Sequence, residues 1–354
     1  MSYLKWFGLL GFVFLFSCRN ENTAVKMEAG FQRISGETMG TTYNVSYQDN
    51  EGRNLKGAID SLLIAINQEV STYIPSSTIS KFNTGSEALK IGSDTRNFIH
   101  PHFGLNFLKA MDISKKTEGH FDPTVMPLVN YWGFGYTEKV TTAIDSIIVD
   151  SILSNVTGID KIEMENSTEG LFITKKTPLV EIDFSALAKG YGVDQIHEFL
   201  QSKGVKNSMI EIGGEVRAAG KNDKGKKWAI GINTPKADAQ VTDFQAVVEL
   251  ENKSLATSGN YRNFYIIDSI KYSHTINPFT GFPERNTLLS ASIFADDCMT
   301  ADALATACMV MGLPAAAKLI ENTKGVEAYF IHGNDKGNME VIVTSGTSKF
   351  LREQ

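Results

Sequence analysis

Apolar positions along the chain recur with two periods. Leu55, Ile59, Leu62, Leu63, Ile66 and Val70 return every three or four residues and predict a helix over 55–70. Similar spacing predicts helices over 98–116, broken near Pro101, and over 143–153. Shorter β-type runs predict strand, turn, strand over 31–47, with Met39-Gly40-Thr41-Thr42 at the turn, and a hairpin from 159–164 and 171–174. Residues 207–219 read as a strand containing Gly213-Gly214, which marks a bulge or a close backbone approach. Further strands are expected over 228–232, 245–250, 264–267, 326–331 and 341–344, with 254–261 and 272–283 flanking the 264–267 strand. Strands follow one another in hairpins more than in regular βαβ order. The expected class is therefore α+β, with mixed, largely antiparallel sheets and packed helices in one unit.

Two stretches carry candidate chemistry. In the first, Glu181 to Gly192, an apolar run over 179–182 ends at Asp183. Ser185 is a good N-cap, and Ala186 opens a helix with Val193, Ile196 and Leu200 at helical spacing. A strand that turns directly into a helix aims N–H groups at the turn and favours an anion, phosphate above all. Asp183 and Lys189 add an acid and a cation, and Gly190 and Gly192 let a backbone or a ligand come close. An ordinary capped helix is the plainer alternative.

In the second stretch, 299–314, Thr300 can cap a helix, Gly312 can end it, and Pro314 can begin another that runs to about residue 322. Residues 301–313 are apolar or small all round, so the helix should be buried. Only Asp302 and Thr306 are frankly polar, four apart on one face. A buried carboxylate needs a cation or several donors. Carboxylate and hydroxyl oxygens suit a hard ion such as Mg²⁺ or Ca²⁺. Alternatively, Thr306 bonds back to its own helix and Asp302 meets an arginine or lysine. His274, just before a Pro-Gly loop, is placed to face a cleft, whereas His100, His102, His197 and His332 have no partners in sequence and read as structural. Glycines between aromatics in Asn130-Tyr131-Trp132-Gly133-Phe134-Gly135 suit either a flat ring system or a packed turn.

Composition narrows the picture. The 354 residues are 42% hydrophobic and 21% charged, which is globular, and the net charge of −6 gives no basic footprint for nucleic acid. Lys5 precedes an apolar run over 6–16 that is too short to cross a bilayer and has the form of a signal peptide. Leu15-Phe16-Ser17-Cys18 resembles a bacterial lipobox. Residues 1–17 are thus expected to be removed and Cys18 to carry lipid, with a flexible tether over 18–32 and the folded unit over 33–354. That makes the chain a membrane-anchored protein of the cell envelope, its folded unit periplasmic. Cys298 and Cys308 are expected as free, buried thiols.

Eight motifs occur in order: Met39-Gly40-Thr41, Ser71-Thr72-Tyr73, Trp132-Gly133-Phe134-Gly135, Asp183 to Gly190, Glu211 to Glu215, Ser258-Gly259-Asn260-Tyr261-Arg262-Asn263, Ser273-His274 to Gly281, and Thr300 to Thr306. Over about 33–350 the chain resembles the FAD:protein FMN transferase family, ApbE. The resemblance implies Mg²⁺-dependent transfer of FMN from FAD to a Thr or Ser hydroxyl of a partner protein, with AMP released. It implies flavin-nucleotide contacts from Met39, Tyr73, His120, Phe121, Asp122, Asp183, Lys189 and Ile276. It implies an ion held by Asp302, Thr306 and the Ala186 carbonyl, Mg²⁺ first and Ca²⁺ second. His274 is the candidate catalytic base, with Asp183 next. The partner implied is a membrane redox subunit of the Na⁺-pumping quinone reductase or Rnf type.

Two departures matter. Ser185-Ala186 stands where the family often has two glycines, a change that a carbonyl ligand survives. Asn277-Pro278-Phe279-Thr280-Gly281 stands where Asp-Pro-Arg-Thr-Gly is frequent, so a guanidinium contact to the adenosine phosphate is missing. The competing readings are a pyrophosphatase that gives FMN and AMP, and a lipid-anchored protein that binds flavin without chemistry.

Overall fold

The computed structural model describes residues 30–137, 144–236, 240, 242–261, 264–267 and 270–352. The signal peptide, Cys18, most of the tether, Ala143 and the Arg262-Asn263 pair lie outside the described residues.

The main sheet has eight antiparallel strands, and their order across the sheet is their order in the chain. They are Gly30–Thr38, Thr41–Asp49, Ser208–Ile212, Glu215–Ala219, Lys253–Gly259, Leu288–Ala295, Glu327–Gly333 and Met339–Val343. Side chains alternate across a strand, so each central strand can feed two cores. Ala256, Ile293 and Phe330 join the larger core, where the helices Ala188–Ser202 and Cys298–Met311 pack side by side against the sheet. Their chain neighbours Leu255, Phe294 and Ile331 join a smaller core under the hairpin of Trp228–Asn233 and Phe244–Leu250. Phe294 and Phe350 stack there with ring centres 4.7 Å apart.

Between Asp49 and Ser208 the chain leaves this sheet. It builds a second antiparallel sheet, ordered Asn97–Phe98, Leu89–Asp94, Gly170–Lys175, Ile162–Ser167. The predicted first helix is Lys56–Val70, burying Ile59, Leu63, Ile66 and Val70. Pro101 opens the helix Pro101–Lys116 rather than breaking one, as a residue without an N–H can at a first turn. The helix expected over 143–153 is Ser146–Val156, its first turn capped by the Asp145 carboxylate. The α+β expectation holds. No helix among the described residues is long and apolar enough to cross a membrane.

Several local expectations fail for identifiable reasons. Residues 179–182 join no sheet: the Val180 N–H turns back to the Thr177 carbonyl at 3.2 Å, and the Asn83 side chain serves Ile182. It accepts from the Ile182 N–H at 2.9 Å and donates to the Ile182 carbonyl at 2.8 Å. Gly213 and Gly214, with φ of +59° and +106°, form the two-residue turn between Ser208–Ile212 and Glu215–Ala219, not a bulge. Lys253–Gly259 and Leu288–Ala295, which the sequence pattern does not assign as strands, are central strands, and Thr78–Thr84 is a short helix capped by Ser77. Asp297, not Thr300, caps Cys298–Met311; its carboxylate accepts from the Thr300 N–H at 2.8 Å. Gly312 ends that helix and Pro314 opens the next, Leu313–Glu321. Cys298 and Cys308 are free and buried.

Candidate active site

The two chemical stretches meet. The loop after Ile182 is fixed by the Asp183 N–H, which donates to the Pro123 carbonyl at 2.7 Å. Asp183 then accepts from the Ser185 N–H at 3.0 Å and the Ser185 hydroxyl at 2.7 Å. That local turn occupies Ser185, so it caps nothing. The helix opens three residues later, as Ala188–Ser202, with no side-chain cap. The Leu187 and Ala188 N–H groups both bond to the Phe184 carbonyl, and the Gly190 N–H goes elsewhere. The corner therefore offers an anion fewer backbone donors than its sequence implies, and its main positive group is Lys189.

The Gly190 N–H donates to Asp302 at 3.0 Å. By helical spacing that amide would serve the carbonyl of Ala186, a residue of the cavity wall, but it goes to Asp302 instead. The approach is close because residue 190 is glycine: a Cβ there would lie 2.4 Å from the Cys298 carbonyl oxygen. Asp194, one turn along the same helix, accepts from the N–H groups of Cys298 and Met299, both at 2.9 Å, and from Arg217. These bonds set the register between the two helices and hence the position of Asp302. Thr306 follows one turn after Asp302, with its hydroxyl 3.3 Å from that of Ser258 on the Lys253–Gly259 strand.

A cavity of about 450 Å³ opens over this junction. Its wall includes Tyr73, His120, Phe121, Asp122, Asp183, Ala186, Lys189, His274, Ile276, Asp302 and Thr306. Of the residues expected at the site, only Met39 lies off this wall. It sits at the tip of the first hairpin with φ of +50°, packs against the main core, and its methyl would be 3.2 Å from a Cβ on Gly192.

A model of the ApbE family matches residues 39–330. The FAD:protein FMN transferase of Vibrio cholerae serotype O1 is 40% identical over 288 residues, which is 79% of this chain and 81% of the relative. That of Haemophilus influenzae is 35% identical over 96% of this chain and 94% of its own. The chain belongs to the ApbE family. The solved flavin transferase ApbE from Vibrio cholerae superposes with a TM-score of 0.79 at 35% identity, covering 91% of this chain and 99% of that one.

Electrostatics distinguish the groups of this ApbE cavity. Asp302 is 2% exposed, and burial raises its carboxyl pKa while Lys189 pulls it back down. For Lys189 burial works against the charge, but Asp302 and Glu215 outweigh it and the net shift is upward. Glu215, the last residue of the Glu211 to Glu215 motif and given no role by it, pairs with Lys189 at 3.4 Å. Burial, helped by the nearby Asp302, pushes the Glu215 carboxyl up, against the pull of Lys189. Its second oxygen is buried without a partner. Burial also raises Asp183, and raises Asp122 to about 6. The His120 Nδ1–H donates to the Thr117 carbonyl at 2.8 Å, which fixes the ring.

Two aromatic pairs stand at the cavity. Tyr73, 64% exposed, meets Tyr136 edge-on at 6.5 Å, and His120 meets Phe279 edge-on at 4.8 Å. After the helix Met126–Tyr131, Trp132 is packed, with its indole N–H on the Gly281 carbonyl at 2.7 Å, while Phe134 and Gly135 line the cavity. The donor set around Asp302 is oxygen only, carries an orphaned carboxylate oxygen nearby, and has more buried carboxylates than cations. Those properties fit a hard divalent ion held by Asp302, Thr306 and the Ala186 carbonyl.

Proposed function

We propose that this chain transfers FMN from FAD to a protein, joining it through a phosphoester to a Thr or Ser hydroxyl and releasing AMP. Membership of the ApbE family and the names of its relatives support the reaction. Within the molecule, the observation that carries it is the Gly190–Asp302 hydrogen bond, which joins the corner after Asp183 to the Asp302–Thr306 helix.

The chemistry requires charge to be neutralised on the diphosphate and the two reacting groups to be held in line. FAD is the substrate, held by Tyr73, His120, Phe121, Asp122, Asp183 and Ile276, with Lys189 against a phosphate oxygen. His274, on the same wall, takes the proton of the acceptor hydroxyl; Asp183 is second choice for that role. The acceptor oxygen forms a bond to the FMN phosphorus as the bond to the AMP oxygen breaks. Lys189 stabilises the charge that collects on the departing phosphate. Mg²⁺, or Ca²⁺ in its place, held by Asp302, Thr306 and the Ala186 carbonyl, supplies further neutralisation of the diphosphate oxygens. Met39 is given no contact and acts through packing on Gly192.

The lipobox before Cys18 supports a lipid anchor that keeps the catalytic unit at the periplasmic face of a membrane, near acceptors such as membrane redox subunits. Incubation with FAD, Mg²⁺ and a candidate acceptor tests the reaction. The acceptor mass should rise by one FMN less water. Free FMN without labelling would make the chain a pyrophosphatase, and unchanged FAD a binding protein. Replacing Cys18 with alanine should move the chain from the membrane fraction to the soluble one; retention would overturn the anchor.

A further inference from the structure

Three charged groups, Lys189, Glu215 and Asp302, share the buried floor of the cavity. A lysine between two carboxylates can pair with either, and the choice matters if one of them is to hold an ion. Among the described residues Lys189 forms its ion pair with Glu215, at 3.4 Å, and none with Asp302. The local fold enforces that choice. The Gly213-Gly214 turn delivers Glu215 to the cavity at the start of its strand. The same turn makes room for the lysine stem: a Cβ on Gly213 would sit 3.4 Å from Lys189 Cδ. The Glu215 side chain is only 6% exposed and one of its oxygens is buried without a partner, so it is not a solvated surface acid. Asp302, meanwhile, receives the Gly190 N–H and feels the Lys189 charge only from beyond ion-pair distance.

We propose that Glu215 is a positioning residue that withholds Lys189 from Asp302 and so keeps the Asp302 carboxylate open to a divalent ion. This rests on the reading of Asp302 as an ion ligand given above. Without the Glu215 charge, Lys189 swings to the remaining carboxylate and competes with the ion for it. Pairing with an ammonium at about 4 Å in a shielded site is strong enough to weaken ion binding about tenfold or more. Glu215 therefore acts on metal affinity through Lys189, not as a ligand.

The test is a binding measurement that needs no flavin. Mn²⁺ serves as a paramagnetic probe, titrated into the full chain and followed by the loss of free-ion signal. Glu215→Gln should raise the Mn²⁺ dissociation constant about tenfold or more. Lys189→Met should bind Mn²⁺ at least as well as the unaltered chain. The double variant should recover to within about threefold of the unaltered chain, because the competing ammonium is gone. That recovery also shows that the single variant had not merely misfolded. Unchanged Mn²⁺ affinity in Glu215→Gln would overturn the proposal, as would a double variant no better than Glu215→Gln, which would make Glu215 a direct ligand or a fold element. An unaltered chain that takes up no Mn²⁺ would overturn it too. Mn²⁺ uptake with the predicted rescue, but without FMN transfer, would sustain it while removing the transferase reading.

Discussion

Replacing Gly190 with alanine should separate the two helices that make the site. The added Cβ would lie 2.4 Å from the Cys298 carbonyl oxygen, 2.7 Å from its carbon and 2.8 Å from Met299 Cα. Carbon–carbon contacts are comfortable at about 3.5–4.0 Å, so the helices are too close by close to 1 Å. All three atoms are backbone, in a segment pinned by Asp194 and by the Asp297 cap, so no side chain can rotate away. Overpacking of this kind costs about 1–3 kcal/mol. Moving the Gly190 N–H off a charged acceptor costs about 1.5–3 kcal/mol more. Alanine returns about 1 kcal/mol through its higher helix propensity. The balance is about 2–5 kcal/mol of lost stability, measurable by urea denaturation. Transfer activity should fall with it, and more Mg²⁺ should be needed to restore what remains. Gly192→Ala is the matched control. Its Cβ would meet the ends of three side chains, Ile212, Met39 and Leu63, at 3.1, 3.2 and 3.7 Å, and should change stability by no more than about 1 kcal/mol. If Gly190→Ala proves as stable and active as Gly192→Ala, the close helix approach does not organise the site.

Asn83→Ala strips the partner from both backbone groups of Ile182 and should cost about 2–4 kcal/mol in denaturant, with weaker FAD binding as Asp183 shifts. A variant with unaltered FAD affinity would separate that clasp from the site. Asp122→Asn keeps an oxygen to accept from the Thr124 N–H while removing the charge. Burial raises the Asp122 carboxyl to about 6, so the folded state holds the proton more tightly than the unfolded chain. The carboxyl then adds stability that is fully present below about pH 4 and lost as pH rises through 6, about 2–3 kcal/mol in all. The asparagine variant should therefore melt higher than the unaltered chain at pH 8, the difference vanishing near pH 4; a pH-independent difference would contradict the buried-carboxyl reading. Asp302→Ala should abolish transfer at any ordinary Mg²⁺ concentration with the chain still folded by circular dichroism, and full activity would refute the ion assignment.

Periodicity located the long helices because their apolar stripes repeat enough times to stand out, as in Lys56–Val70. The greasy run around Asp302 and Thr306 was legible for a different reason, since two oxygens in an apolar segment have few explanations. Other parts were hidden by long-range partners. The 179–182 run has strand composition, but its hydrogen bonds go to a side chain 99 positions away, which no local pattern reveals. Lys253–Gly259 carries little strand signal in its Ser, Thr and Gly content; it is a strand because its small residues lie directly beneath the Cys298–Met311 helix. Ser185 has the composition of a cap, and its use by Asp183 is decided by geometry two residues back. Glu215 could have been noticed: it stands between a Gly-Gly turn and a run that is otherwise buried and largely apolar, where a charge needs a partner.

Because the strands of the main sheet lie across it in their chain order, no strand needs to wait for a later segment to be inserted between itself and its predecessor in the sheet. A polypeptide emerging from its N-terminus can add each rung as it appears, and the excursion between Asp49 and Ser208 can assemble its own small sheet before the larger one resumes. Closing that long excursion costs little more than closing one of half its length, about 0.6 kcal/mol, because loop entropy grows only with the logarithm of size. The helix bearing Asp302 comes late in this sequence of events, so the ion site is among the last parts of the molecule to be completed, after most of the scaffold beneath it has formed.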